Sequence, residues 1–330
     1  MILSRRNFVE GLLGSAALES ANAFARPGGV RRVGVLLTFF EGDPEAIRRV
    51  EAFGSELRAK GWREDDNLEV EYRFAAGNPG RITQIARDLM GARIEVLVSN
   101  TYQPIIDAVA KTPEIPIIFA MLPDPVQSGL TRSISHPDAN ITGFMTFEFS
   151  ILGKWIELLK RIVPSMASVA LIFNPDAVRE NWRAWLNELE LSCQLLGVEP
   201  LPLPVHSIPE MHRAVLRLPA ECGVLIAPDV FTVGNYKSIV STTLERKAPA
   251  CFPYRYFALE GGLMSYGPNG VHMFRQAASY VDRILRGAKT SELPIQRPSN
   301  FELVLNLKTC RALGIVPPQE LLVRADEVVE

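Results

Sequence analysis

Several features are missing from the 330-residue sequence, and each absence excludes a class of protein. The four cysteines (Cys193, Cys222, Cys251 and Cys310) form no C-x-x-C pair and no zinc-finger spacing, which excludes a disulfide scaffold. No run of about 18 apolar residues occurs, so no insertion into a membrane is expected. The 35 basic side chains are outnumbered by 37 acidic ones, so no nucleic-acid partner is expected.

The common enzyme motifs are also missing. There is no G-x-G-x-x-G after a strand, no G-x-x-x-x-G-K-[ST] and no G-x-S-x-G. The four histidines show neither H-E-x-x-H nor another compact metal spacing. These absences favour binding over catalysis, and we expect no catalytic residues, no cofactor and no metal site.

The overall amino-acid composition is typical of a globular protein. Hydrophobic residues make up 47% of the chain and charged residues 22%. At roughly 100–200 residues per domain, the length suggests about two domains.

Residues 1–25 have the layout of an export signal. Arg5 and Arg6 precede a mildly apolar segment at 9–21, and Ala23-Phe24-Ala25 provides a small-x-small end. The paired arginines indicate the twin-arginine route, so we expect cleavage before Arg26 and a mature protein in the periplasm. Glutamates interrupt the apolar segment, and the alternative is a frayed N-terminal helix of a cytoplasmic protein.

The remaining chain alternates strands and helices, and its second half repeats the order of the first. Short apolar runs predict strands at 33–37, 68–72, 95–98 and 115–119, then at 169–173, 198–205, 223–227 and 250–252. Between them, Asp43-Pro44 and Asn78-Pro79 start two helices, and helices are predicted at 104–110, 178–196, 209–216 and 233–246. Apolar Ile47, Val50 and Leu57 mark the buried stripe of the first helix. This pattern predicts an α/β fold with two similar lobes, each built on a parallel sheet.

The loops at the carboxyl ends of the strands are the expected ligand site, because ligands of open parallel sheets bind there. These loops carry hydroxyls, amides and aromatic rings, and they lie at 38–43, 99–103, 120–125, 174–176, 228–232 and 253–256.

Four ordered motifs carry a family resemblance. They are Asp124-Pro125-Val126, Asn140-Ile141-Thr142-Gly143, Gly261-Gly262-Leu263-Met264-Ser265-Tyr266-Gly267, and the ending from Phe301 through Val328. Together they resemble the substrate-binding proteins of ABC transporters, in the family that includes tryptophan- and tyrosine-binding members. The likeness extends over nearly the whole chain.

The resemblance implies a type I periplasmic binding fold, in which two Rossmann-like lobes are joined by a multi-crossing hinge. It places the crossings near 142–146, 265–267 and 301–306. Lobe 1 is then expected at 30–143 with about 267–301, and lobe 2 at 144–266 with about 302–330.

The resemblance also implies roles for residues in the cleft loops. Asp229 is expected to pair with a ligand ammonium, with a helix cap as the alternative. Ser99, Asn100 and Thr101 are expected to hold a carboxylate, and aromatic side chains to stack on a flat ligand. Whether Phe39 and Phe40 line the cleft or fill it stays open. The expected ligand-binding set is Thr38, Phe39, Phe40, Ser99, Asn100, Thr101, Tyr102, Asp124, Thr142, Asn174, Asp229, Tyr254, Tyr256 and Ser265.

The expected function is that of a periplasmic, monomeric, non-enzymatic component of an ABC uptake transporter. It would close on a small-molecule ligand, an aromatic or other amino acid, and deliver it to the permease and its ATPase subunits. The alternative is an α/β enzyme with Asp229 or Glu41 as general base. For Cys222 and Cys251, a disulfide and buried free thiols are both open.

Overall fold

The computed structural model describes residues 29–100, 114–122, 125–126, 129–137, 140–146, 148–178, 182–298 and 301–330. The expected export signal and the helix predicted at 104–110 lie outside these ranges. In the described part of the chain, no helix combines the length and apolar character needed to cross a membrane.

The first sheet has five strands, all parallel, in the order β2-β1-β3-β4-β5. The strands are β1 (Arg31–Leu37), β2 (Leu68–Phe74), β3 (Val96–Ser99), β4 (Ile117–Leu122) and β5 (Ile141–Met145). Its first two helices are α1 (Pro44–Ala59) and α2 (Pro79–Gly91). The predicted caps are confirmed, because Asp43 and Asn78 accept the backbone N–H of Glu45 and Gly80.

The second sheet has seven strands in the order β12-β11-β10-β9-β8-β6-β7, and only the pair β10–β11 is antiparallel. The strands are β6 (Ser168–Phe173), β7 (Glu199–Pro204), β8 (Cys222–Ile226), β9 (Ala250–Phe252), β10 (Met264–Pro268), β11 (Phe301–Asn306) and β12 (Glu327–Val329). Strand β7 carries three prolines and lies at the sheet edge, where a missing N–H is tolerated.

One predicted helix is wrong in its extent. The helix predicted at 233–246 is two helices, because Asn235 adopts a non-helical conformation (φ −110°, ψ 24°) between them. Of the helix predicted at 178–196, Val178 and Trp182–Leu196 are helical, and 179–181 lie outside the described residues. The remaining helices are α3 (Ile151–Ile162), α4 (Pro175–Val178), α5 (Trp182–Leu196), α6 (Ile208–Leu216), α7 (Val230–Gly234), α8 (Tyr236–Arg246), α9 (Arg255–Leu259), α10 (Gly270–Leu285), α11 (Leu307–Leu313) and α12 (Gln319–Arg324).

The chain passes three times between the two sheets. It leaves the first sheet after β5 and enters α3, which packs on β8, β9 and α5. It returns after β10 into α10, which packs on α1 and β4. Gln296 then bonds to β5, donating to Gly143 O at 2.9 Å and accepting from Met145 N at 2.8 Å, before β11 rejoins the second sheet. The predicted fold class is confirmed: two α/β lobes joined by a multi-crossing connection.

The four cysteines form no disulfide with one another. All four are free and buried, including Cys222 in β8 and Cys251 in the adjacent strand β9, where Cys251 is in register with Leu225. Of the two alternatives for this pair, the structure has the buried free thiols.

Candidate ligand-binding site

The two lobes meet through backbone at the carboxyl ends of their strands. Gly77, which follows β2, lies against Gly234 at the end of α7, so closely that a methyl group on Gly234 would overlap the Cα of Gly77. Asn235 Nδ2 also donates to Gly77 O at 3.5 Å. Only glycine fits on the second-lobe side of this contact, and the lobes are therefore in contact across the mouth of the cleft.

Two of the predicted polar residues bind each other within the first lobe. The backbone N–H of Thr38 donates to Asn100 Oδ1 at 3.1 Å, and Asn100 Nδ2 donates to Thr38 Oγ1 at 3.2 Å. This pair ties the loop after β1 to the loop after β3. Ser99 is the last residue of β3 and is buried.

The predicted aromatic residues form a cluster between the lobes. Phe39 of the first lobe meets the ring of Tyr256 edge-on at 5.8 Å, and Tyr254 stacks on Tyr256 at 5.8 Å. Tyr236 joins them at 4.9 Å from Tyr256. Phe39 is fully buried, whereas Phe40 is 49% exposed at the mouth. Phe39 thus fills the interlobe space, and Phe40 lines its entrance.

Burial raises the pKa of Tyr236, Tyr254 and Tyr256 above the ordinary value of a phenol. For Tyr236 the negative charge of Asp43, across the cleft, adds to this effect. All three side chains are therefore neutral hydroxyls at neutral pH.

Arg49, in the second turn of α1, is the cation of this site. Its side chain is 1% exposed, and its Nε donates to Glu45 Oε1 at 3.2 Å. Its guanidinium carbon lies 4.6 Å from the centre of the Phe39 ring and 5.6 Å from the rings of both Tyr256 and Phe274. Within the described residues, neither Nη1 nor Nη2 of Arg49 has a hydrogen-bond partner, and the same holds for the Tyr256 hydroxyl.

Arg49 was missed because the predicted stripe of α1 is correct at Leu57 but wrong at Ile47. Ile47, assigned to that stripe, is 45% exposed, whereas Ala46, Phe53 and Leu57 are buried together with Arg49. The spacing 46, 49, 53 and 57 is itself helical, and it contains one arginine among apolar residues. A charged residue inside an otherwise apolar stripe is the signal that identifies it.

Asp229 lies in the second lobe as the N-cap of α7. Its Oδ1 accepts the N–H of Thr232 at 2.8 Å, and its Oδ2 accepts the N–H of Asn174 at 2.8 Å. Burial raises the pKa of Asp229 to about 7, against the opposing effect of these hydrogen bonds. The cap alternative is confirmed, and pairing with a ligand ammonium stays a prediction.

The other predicted residues bond within the protein, are buried in a strand, or lie outside the described residues. Thr142 Oγ1 donates to Leu293 O at 2.6 Å, which fixes the returning segment on β5. Ser265 is buried in β10, in the middle of the second sheet. Asn174 Oδ1 accepts the N–H of Ala177 and caps the short helix α4. Thr101, Tyr102 and Asp124 lie outside the described residues.

The mouth of the cleft is a groove of about 390 Å³ shared by both lobes. Phe40, Glu41 and Asp43 line it from the first lobe, and Asn235 and Lys237 from the second. Glu41 is exposed there. Its carboxylate is therefore in contact with solvent and not enclosed with a bound solute.

Residues 33–329 match the family model described as ABC transporter substrate binding protein. A relative described as a tyrosine-binding protein of Clostridioides difficile is 22% identical over 273 residues, which cover 82% of this chain and 78% of the relative.

Two solved structures share the fold. A conserved domain protein from Vibrio cholerae is 26% identical, with a TM-score of 0.83, over 91% of this chain and 100% of the other. An ABC domain from Streptococcus pneumoniae in complex with L-Trp is 19% identical, with a TM-score of 0.81, over 91% and 100%.

Proposed function

The chain belongs to the family of ABC transporter substrate-binding proteins, and we propose that its solute is an amino acid held between the two lobes. The observation that carries this proposal is the contact of Phe39 from one lobe with Tyr256 from the other, on which Tyr254 stacks. These rings lie at the carboxyl ends of the strands, where flat or apolar side chains of a solute find aromatic partners. The names of the relatives, tyrosine-binding and L-Trp-bound, agree with this class of solute.

The proposed action is closure of one lobe on the other. Taking the lobes as 30–143 with 267–301 and 144–266 with 302–330, the three passages act as the hinge. A solute that contacts both lobes binds the closed form more tightly, so its presence shifts the population toward closure. The closed, monomeric complex would then deliver the solute in the periplasm to a permease driven by ATPase subunits.

We also propose that the chain is not an enzyme. Of the two residues considered as general bases, Glu41 is exposed at the mouth. Both oxygens of the other, Asp229, accept backbone N–H groups. Neither arrangement presents a free base to an enclosed solute.

Thermal unfolding of the purified chain with the common L-amino acids, one at a time, tests the proposed solute class. A solute present at 100 times its dissociation constant stabilises the folded chain by about 2.7 kcal/mol. We expect a clear rise in melting temperature with at least one amino acid. If none of them raises it, the proposed solute class is wrong, while the family and the fold stand.

A further inference from the structure

The guanidinium of Arg49 is a buried charge whose two outer nitrogens have no acceptor among the described residues. Its Nε is used by Glu45 at 3.2 Å. Its two Nη atoms carry four N–H donors, and none of these has a partner among the residues that the structure describes. Buried charged donors without acceptors are costly, and a protein keeps them where an acceptor arrives from outside.

The groups around these two nitrogens belong to both lobes. Phe39 and Phe274 flank the guanidinium from the first lobe, and Tyr256 from the second. At Gly270, the first residue of α10, a side chain would place its Cβ 2.8 Å from Arg49 Nη2. Glycine at that position therefore lets the guanidinium and the Met121 side chain pack against the start of α10.

We propose that Arg49 binds the carboxylate of the solute through its two Nη atoms, and that the Tyr256 hydroxyl completes the site when the lobes close. This assignment rests on the proposed function and names the group by which the solute is recognised. Since Arg49 lies in α1 and Tyr256 in α9, an open form exposes the guanidinium and a closed form buries it.

A carboxylate fits this site better than other anions. The planar guanidinium fork matches a carboxylate with two parallel hydrogen bonds. Glu45 already balances the charge of Arg49, so a dianion such as phosphate would bring two uncompensated negative charges into a buried site. An amino acid carries its own ammonium group and brings no net charge.

The polar loop after β3 is a weaker candidate for the same role. There, Asn100 uses both its amide oxygen and its amide nitrogen to bind Thr38. The hydroxyl of Tyr256, by contrast, has no partner in the described part of the chain and remains protonated, because burial raises its pKa.

The test compares Arg49→Met with Arg255→Met in the full chain. Arg255 is adjacent to Tyr256 in sequence, but its guanidinium binds Glu327 on a partly exposed surface, so it controls for the loss of an arginine. A double variant, Arg49→Met with Glu45→Gln, removes the buried carboxylate that the single variant leaves without its partner. The melting temperature of each variant without solute shows that it is folded.

The probes are L-tyrosine, L-tryptophan and L-leucine, each paired with the amine that lacks its carboxylate: tyramine, tryptamine and isoamylamine. Calorimetric titration gives the dissociation constants. For the amino acid that binds best, we expect both Arg49→Met variants to weaken binding at least about 100-fold. Two charge-assisted hydrogen bonds are lost, each worth about tenfold or more. In both Arg49→Met variants, the preference for that amino acid over its amine should disappear. Arg255→Met should keep the wild-type affinity and the wild-type preference.

Three outcomes overturn the assignment. If Arg49→Met keeps its affinity within about threefold, or weakens the amino acid and its amine equally, Arg49 does not bind the carboxylate, and the proposed function stands. If the wild type binds an amine as tightly as the amino acid, the same conclusion holds. If the wild type binds none of the six probes, the assignment of Arg49 to these amino acids is wrong, and the proposed solute class is decided by the thermal test with all the common L-amino acids.

Discussion

Arg49 and Asp229 are buried charged side chains near the cleft, one in each lobe, and their surroundings differ. Arg49 of the first lobe is 1% exposed and Asp229 of the second lobe 5% exposed. Both oxygens of Asp229 accept backbone N–H groups of their own lobe, from Thr232 and Asn174. The outer nitrogens of Arg49 bind nothing within the described residues.

This difference separates a charge that serves the fold from one that is available to a solute. Asp229 joins α7 to the end of β6, so removing it disturbs the second lobe itself. Arg49 contacts three aromatic rings and one carboxylate, and its strongest directional bonds are still unmade. We therefore expect changes at Asp229 to appear mainly in stability and changes at Arg49 mainly in affinity.

The largest expected effect in stability concerns the pH dependence of Asp229. Its pKa is about 7 in the folded chain and near 4 in the unfolded chain. Between these values the unfolded chain has lost the proton and the folded chain keeps it, so stability falls as the pH rises from about 4 to 7. The fall is a few kcal/mol, at about 1.4 kcal/mol for each pKa unit.

Urea unfolding at pH 5 and pH 8 measures this fall in the wild type and in Asp229→Asn. The loss of stability between the two pH values should be smaller in the variant by a few kcal/mol. The hydrogen bond that asparagine cannot accept is lost at both pH values and cancels in the difference. Equal losses in the two proteins would show that Asp229 does not titrate in this range.

The next largest effect, on affinity, is expected for Gly234→Ala. This change hinders lobe closure and leaves the side chains proposed to bind the solute unchanged. The added methyl overlaps Gly77 only when the lobes are in contact. The variant should keep its melting temperature without solute but bind the best amino acid at least about tenfold more weakly, because closure is hindered. Small-angle scattering should show less compaction on binding than in the wild type.

Gly91→Ala is the matched control for this change. A methyl group there meets nothing within 4 Å, so affinity and compaction should equal those of the wild type. Wild-type affinity in Gly234→Ala would contradict the view that the glycine contact belongs to the bound form.

A smaller effect is expected for Tyr256→Phe, which removes the second lobe's hydroxyl and keeps the ring on Phe39 and Arg49. One hydrogen bond to a charged group is lost, so affinity for the amino acid should fall about tenfold. Affinity for the matching amine should not change. An equal loss of affinity for the amino acid and for the amine would mean that Tyr256 contributes only through the packing of its ring.

The smallest effect is expected for Asn235→Ala. Its amide reaches Gly77 O across the cleft at 3.5 Å, which is a long hydrogen bond, and it also donates to Phe231 O at 2.8 Å within its own lobe. Affinity should fall about threefold or less. A loss as large as that of Gly234→Ala would mean that this contact, rather than backbone fit, holds the lobes together.

Most of the fold could be predicted because parallel strands that are buried on both faces appear in the sequence as continuous apolar runs. Strand β9, Ala250–Phe252, has the predicted bounds, and the helices after Asp43 and Asn78 begin at the predicted prolines. The break at Asn235 was missed because no proline marks it and α8 resumes one residue later, although Gly234 and Asn235 are both residues that often end helices.

The candidate site was predicted less completely, because side-chain direction decides it. Phe39 and Phe40 are adjacent in the same loop, and only the structure shows which of them turns inward. Arg49 lies on a helix rather than in a cleft loop, so loop positions alone do not indicate it. The hydroxyl of Thr142 and the amide of Asn100 have the predicted chemistry, but the protein binds both internally.

Whether the chain binds an amino acid without converting it is tested by equilibrium dialysis of the wild type. The solute is the amino acid that raises the melting temperature most. After overnight incubation, the bound solute is released by denaturation and identified by mass spectrometry. We expect saturable binding of one solute molecule per chain, recovered chemically intact. Binding that does not saturate, or recovery of a converted product, would contradict this expectation.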